Sequence, residues 1–197
     1  MAKYIHKGLL TFSLGNKKLS NRTLIFNIPC KYNCNGCYDK KALIYPSARN
    51  SRIKNMMGTL RSDFVETFTQ VLRENKSKFD YVRLHEGGEF YNQDYLDNIT
   101  QIVYNNPDIK FFVYTRELFN LNFNGLKSLP NINIVNSIPF GINNYCHDIK
   151  WLVRTLKSYG AKRIKLCGDT VNETTKCGIN CHYCMQKGND IVIFKQH

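Results

Sequence analysis

The sequence predicts an α/β fold in which six short strands alternate with helices and curl into an open partial (β/α)6 barrel. Three observations carry this prediction. Short β-branched and aromatic runs recur along the chain, and segments with helical apolar spacing lie between most of them. No repeat, low-complexity stretch or linker divides the 197 residues. That length suits a single domain, 1–197, with a core of its own.

The elements follow in order. "GLLTFSLG" (8–15) reads as an N-terminal strand rather than a signal peptide, because it is short and runs straight into "NKK". Thr23–Ile28 ("TLIFNI") is the first strand of the alternating series and stops at Pro29. Arg61–Asn75 carries Phe64, Val65, Phe68, Val71 and Leu72 at helical spacing, with Ser62 as the expected N-cap. Tyr81–His85 is the second strand, and Tyr95, Ile99, Ile102 and Val103 mark the next helix. Phe111–Thr115 and Ile132–Ser137 are the third and fourth strands. Trp151, Leu152 and Leu156 indicate a helix ended by Gly160. Arg163–Cys167 and Asp190–Phe194 complete the six.

Composition narrows the class. A hydrophobic content of 43% with 13% aromatics describes a globular chain, not a disordered one. No apolar run approaches the roughly 20 residues that span a bilayer. A cytoplasmic setting is expected. There, eight cysteines point to metal ligands before disulfides. The formal charge of +13 raises a nucleic-acid partner. The basic residues are scattered in pairs such as Lys17–Lys18 and Lys40–Lys41 rather than gathered in a stripe, which favours a solvated basic surface.

The cysteines form two sets. "PCKYNCNGCYDKK" (29–41) places Cys30, Cys34 and Cys37 as C-x3-C-x2-C on the loop after the first strand. In α/β barrels that end of the strands carries the chemistry. Three thiols wrap one side of a cubane iron–sulfur cluster and leave one iron without a protein ligand; structural zinc would need a fourth ligand, for which His6 is the nearest candidate. The second set, Cys167, Cys177, Cys181 and Cys184, repeats the same spacing and adds a fourth thiol. It suits a closed [4Fe–4S] site, with tetrahedral zinc as the alternative, in a segment spanning 167–188. Cys146 is left over as a free thiol.

The first loop, with Tyr38 following its last cysteine, resembles the signature loop of radical S-adenosylmethionine (radical SAM) enzymes. The resemblance implies a [4Fe–4S] cluster on Cys30, Cys34 and Cys37, with the amine and carboxylate of SAM on the open iron and Tyr38 against the adenine. "GGEF" at the end of the second strand is similar to that superfamily's Gly-Gly-Glu-Pro segment, with Phe90 in place of proline. By that likeness Gly87, Gly88 and Glu89 contact the SAM amino group, and Ser137 supplies a polar SAM contact. A narrower resemblance covers most of the chain in order. "GNKK", "CYDKKALIYPSARNSRIKN", "RLHEGGEFYNQDYLDNI", "FFVYTRE", "LPNINIVNS", "CGINCHYC" and the terminal "VIFKQH" are similar to the phage-associated gene product 88 family. That family typically shows Ser-Gly-Asp-Phe at the position of Gly87–Phe90. It implies a fold and a cofactor, but no named reaction.

Strand alternation places Arg83 and His85 on one face, with Asn133 and Ser137, and Lys165 and Cys167, on the matching faces of later strands. Val82, Leu84, Ile132, Ile134, Ile164 and Leu166 take the apolar side. The polar side would line the barrel, with Arg116, His85 and Lys165 as candidate catalytic groups. The expectation is an enzyme that cleaves SAM reductively to a 5′-deoxyadenosyl radical and abstracts hydrogen from an unidentified, anionic substrate (nucleotide, nucleic acid or peptide). It would draw its electron from a reductase or low-potential donor, without a membrane partner. Two rivals stand beside it: a zinc-binding module for nucleic acid, and a non-catalytic protein that binds the cluster and SAM.

Overall fold

The computed structural model describes residues 3–16, 19–32, 37–140, 153–154, 157, 164–166, 179, 181–186 and 191–195. Among them, eight strands form one open sheet in the order β1-β2-β3-β4-β5-β6-β8-β7. The strands are β1 (Lys3–Lys7), β2 (Leu10–Leu14), β3 (Thr23–Phe26), β4 (Tyr81–Leu84), β5 (Lys110–Thr115), β6 (Ile132–Phe140), β7 (Ile164–Leu166) and β8 (Ile191–Lys195). All six strands of the expected alternating series are present, and β3 through β8 pair in parallel.

The sheet differs from the expected one in two respects. β8 inserts between β6 and β7, so the last two strands are out of sequence order. At the other edge, β1 and β2 form an antiparallel hairpin, with Gly8 at φ +56° in its two-residue turn. β1 ("KYIHK") has too little apolar alternation to announce itself in the sequence.

Helices α3 (Phe64–Glu74) and α4 (Gln93–Tyr104) cover one face of the sheet. Their apolar stripes meet Leu24, Phe26, Val82, Leu84, Phe111 and Val113, so this face is the main core. An aromatic cluster sits at its centre: the Phe68 ring lies 4.8 Å from Phe12 and 5.0 Å from Phe26, edge-on to both. α4 begins as expected from its sequence, with Asn92 Oδ1 accepting from the Tyr95 amide at 2.9 Å. α3 starts one residue later than expected. Its N-cap is Asp63 rather than Ser62, and the Asp63 side chain pairs with Arg61 instead of capping.

Two helices between the cysteine loop and α3 have no counterpart in the expected order: α1 (Tyr38–Leu43) and α2 (Pro46–Thr59). α2 is inverted. It buries Arg52, Asn55, Gly58 and Thr59, and exposes Ile53 and Met57, with Leu60 exposed just beyond its end. Asn55 fastens it to the sheet, accepting from the Thr11 amide at 2.7 Å and donating to the carbonyls of Thr11 and Asn27. A short α5 (Asn124–Ser128) precedes β6. The helix expected near Trp151–Gly160 falls mostly outside the described residues.

Candidate functional site at the C-terminal rim of the sheet

The loop after β3, the turn after β4 and the turn after β5 meet at one end of the sheet, because parallel strands deliver their C-termini to the same rim. Cys30 and Cys37 are half-buried there. Cys34 lies outside the described residues, as do Cys146, Cys167 and Cys177.

The cysteine loop is anchored by its next two residues. Tyr32 Oη donates to Glu117 Oε1, and Lys31 Nζ lies 3.1 Å from the same carboxylate. Asn120 Nδ2 donates to the other oxygen at 3.2 Å. Glu117 has no exposed surface. Burial alone would raise its carboxyl, but the bonds from Tyr32, Lys31 and Asn120 outweigh burial and hold it below the ordinary value. The same hydrogen bond to Glu117 pushes the Tyr32 phenol up to about 12.

A chain of hydrogen bonds continues from this anchor to the β4 turn. Thr115 Oγ1 accepts from the Glu117 amide at 3.0 Å and donates to Glu89 Oε1 at 2.7 Å. Glu89 Oε1 also accepts from the Phe90 amide at 2.9 Å, and Oε2 accepts from the Arg116 amide at 2.9 Å. Three of about four acceptor positions on this carboxylate are therefore filled. Burial raises the Glu89 carboxyl and the three donors only partly oppose it. Among the described residues, no cation forms an ion pair with Glu89.

The glycines before Glu89 bring this turn under the cysteine loop. Gly88 has φ +114°, and a Cβ there would lie 2.4 Å from the carbonyl oxygen of Ile28. A Cβ on Gly87 would run into the carboxylate of Asp39, in the first turn of α1. Asp39 is itself buried in an ion pair with Arg52 of α2. The Gly87 amide donates to Asn27 Oδ1 at 3.0 Å. The close approach expected for these glycines is thus to the cysteine loop and α1.

His85 departs from the expected alternation. Its φ of +59° turns the side chain away from the Arg83 face into the helix-side core. There Nε2 lies 2.8 Å from Tyr95 Oη, and the ring lies edge-on to Phe90 at 4.7 Å. Burial, with Arg83 nearby, lowers its pKa to about 3, so the imidazole is neutral. Arg83 stays on the opposite face, with its guanidinium 4.7 Å from the Tyr114 ring and 6.0 Å from that of Phe112. Arg116 is exposed at the rim. The side chains of Tyr38, Ser137 and Lys165 lie outside the description, but by register the backbones of Ser137 and Lys165 both pair with Val192.

Of the second cysteine set, Cys181 and Cys184 are described, and they lie lower on the Arg83 face. Asn133 Nδ2 donates to the Cys184 carbonyl at 2.8 Å, and His182 lies 6.4 Å from the ring of Tyr81, at the start of β4. Cys181 and Cys184 are half-buried. The segment 181–186 therefore lies towards the N-terminal ends of β4 and β6, whereas Cys30 and Cys37 lie at the C-terminal rim.

Sequence reasoning missed Lys31, Tyr32, Asp39, Arg52 and Glu117. Glu117 had a faint signal, an acid one residue after Arg116 at the end of an apolar strand. The others had none, since their partners are distant in the chain.

A sequence model of the family described as Gene product 88 matches residues 8–138. No curated protein and no solved structure matches significantly.

Proposed function

The chain belongs to the phage-associated Gene product 88 family, and from that premise and the rim geometry we propose that it is a radical SAM enzyme acting on an anionic substrate. Cys30, Cys34 and Cys37 would hold a [4Fe–4S] cluster. The donor set fits: three thiols on one anchored loop, with Cys30 and Cys37 half-buried. A cluster held there would supply single-electron reduction, the chemistry by which radical SAM enzymes cleave SAM and take hydrogen from a substrate.

The protein's own groups bind and orient. The observation that carries the reading is the hydrogen-bond chain from the cysteine loop through Glu117 and Thr115 to Glu89. It joins the expected cluster loop to a buried carboxylate that has one acceptor position left and no cationic partner among the described residues. An ammonium group at that position would offset the burial of Glu89, as the SAM amine does in the superfamily. Tyr38, Gly87, Gly88 and Ser137 complete the proposed SAM contacts. Arg83, over the Tyr114 ring, would place a cation on the face opposite α3 and α4 for an anionic substrate, and Arg116 and Lys165 are the further candidates. The Cys167, Cys177, Cys181 and Cys184 set would hold a second cluster or zinc.

Metal analysis after anaerobic purification tests this. Iron and acid-labile sulfide are expected, and a Cys30→Ala/Cys34→Ala/Cys37→Ala variant should lose one four-iron complement. Colourless protein loaded with zinc at both sets would instead establish the zinc module.

A further inference from the structure

α1 and α2 follow the cysteine loop directly, and their outer surface is unusual. Helices on a globular protein turn apolar residues inward, yet α2 buries polar ones. Arg52 pairs with Asp39, Asn55 bonds to Thr11 of β2 and to the Asn27 carbonyl just after β3, and Thr59 Oγ1 lies 2.8 Å from Tyr91 Oη. Outward, Ile53 (47% exposed), Met57 (54%) and Leu60 (69%) are spaced i, i+4 and i+7 and so form one stripe. Ile44 (76%) and Tyr45 (67%), just before α2, are exposed as well. By helical spacing Arg49 continues the stripe one turn before Ile53 and Lys54 flanks it, and both are exposed. Lys40 and Lys41 are exposed on α1, and no acidic residue occurs from Lys40 to Ser62.

We propose that this α1–α2 face docks an acidic single-electron carrier protein, bearing a flavin or an iron–sulfur centre, that reduces the cluster held by the adjacent loop. The inference rests on the radical SAM reading, which requires such a donor. In the step, one electron leaves the reduced carrier and enters the oxidised cluster; no bond or proton moves. Charge complementarity selects the partner. Exposed apolar side chains with Arg49 and Lys54 beside them, and no acid from Lys40 to Ser62, fit a protein surface that carries carboxylates around an apolar patch. A small patch suits the low-area, transient interfaces of electron-transfer partners. A second copy of the chain would set Arg49 and Lys54 against like charges. Nucleic acid would be met by stacked aromatics, whereas this stripe is aliphatic except for Tyr45.

The test uses iron-loaded protein and a labelled acidic flavodoxin as probe. Wild type should bind it, more weakly as salt rises. Ile53→Asp/Met57→Asp and Arg49→Glu/Lys54→Glu should each weaken binding by about tenfold or more. Bleaching of the cluster by reduced flavodoxin should slow to match, while bleaching by dithionite stays at the wild-type rate. Iron-loaded variants that bind and bleach like wild type would overturn this inference alone. So would a wild-type preference for an oligonucleotide or anionic vesicles, or a dimer that the variants break. Protein without iron would overturn this inference and the parent reading together.

Discussion

The neutral, buried His85 has a consequence for stability that can be worked out. Its folded pKa lies at about 3 because burial, and then Arg83, disfavour the imidazolium, whereas the unfolded imidazole titrates near its ordinary value of about 6.5. The group therefore contributes full stability above about pH 6.5, and the contribution is lost as pH falls from there towards the folded pKa. At about pH 5 the unfolded chain has gained a proton that the folded chain refuses, which removes about 2 kcal/mol. His85→Asn is the suitable control, since asparagine tolerates the positive φ. Urea denaturation of both proteins at about pH 7 and 5 should show wild type losing about 2 kcal/mol more than the variant. The imidazole C–H resonance of His85 should also stay unshifted across that range. Equal losses in both proteins, or a His85 resonance titrating near 6.5, would refute the reasoning and reopen His85 as an acid–base group.

Other consequences follow from the rim. Glu117→Ala removes the acceptor for Tyr32, Lys31 and Asn120 and should cost about 1–3 kcal/mol in urea denaturation, and an unchanged midpoint would discount the anchor. Arg52→Met strands Asp39 as a buried charge and should cost about 3–5 kcal/mol in urea denaturation, while Arg52→Met/Asp39→Leu should cost less. Gly88→Ala forces a Cβ towards the Ile28 carbonyl at a positive φ, and should cost about 2–4 kcal/mol. A thermal midpoint equal to wild type would show that the turn can move away from the loop.

How far the sequence was legible depends on where each signal resides. The parallel strands were readable because runs such as "FFVYT" are buried by their own composition, and α3 and α4 because their apolar stripes face the core. α2 escaped because its apolar residues point outward, so the residues that hold it down are polar. The place of β8 between β6 and β7 depends on chain path rather than local pattern. His85 was assigned to the wrong face because one positive φ in a non-glycine residue breaks the alternation from which faces are read. At the site, the loop carrying Cys30, Cys34 and Cys37 and the "GGEF" turn could be located from spacing. Their linkage through Glu117, Thr115 and Glu89 could not, because each contact spans many residues.

The central claim is that the three-cysteine loop and the Glu89 turn together bind and cleave SAM. Anaerobic incubation of the iron-loaded protein with dithionite and SAM, followed by quantification of 5′-deoxyadenosine, tests it most directly. Wild type should yield 5′-deoxyadenosine, Cys34→Ala none, and Glu89→Gln much less. Iron-loaded wild type that forms no 5′-deoxyadenosine would contradict it.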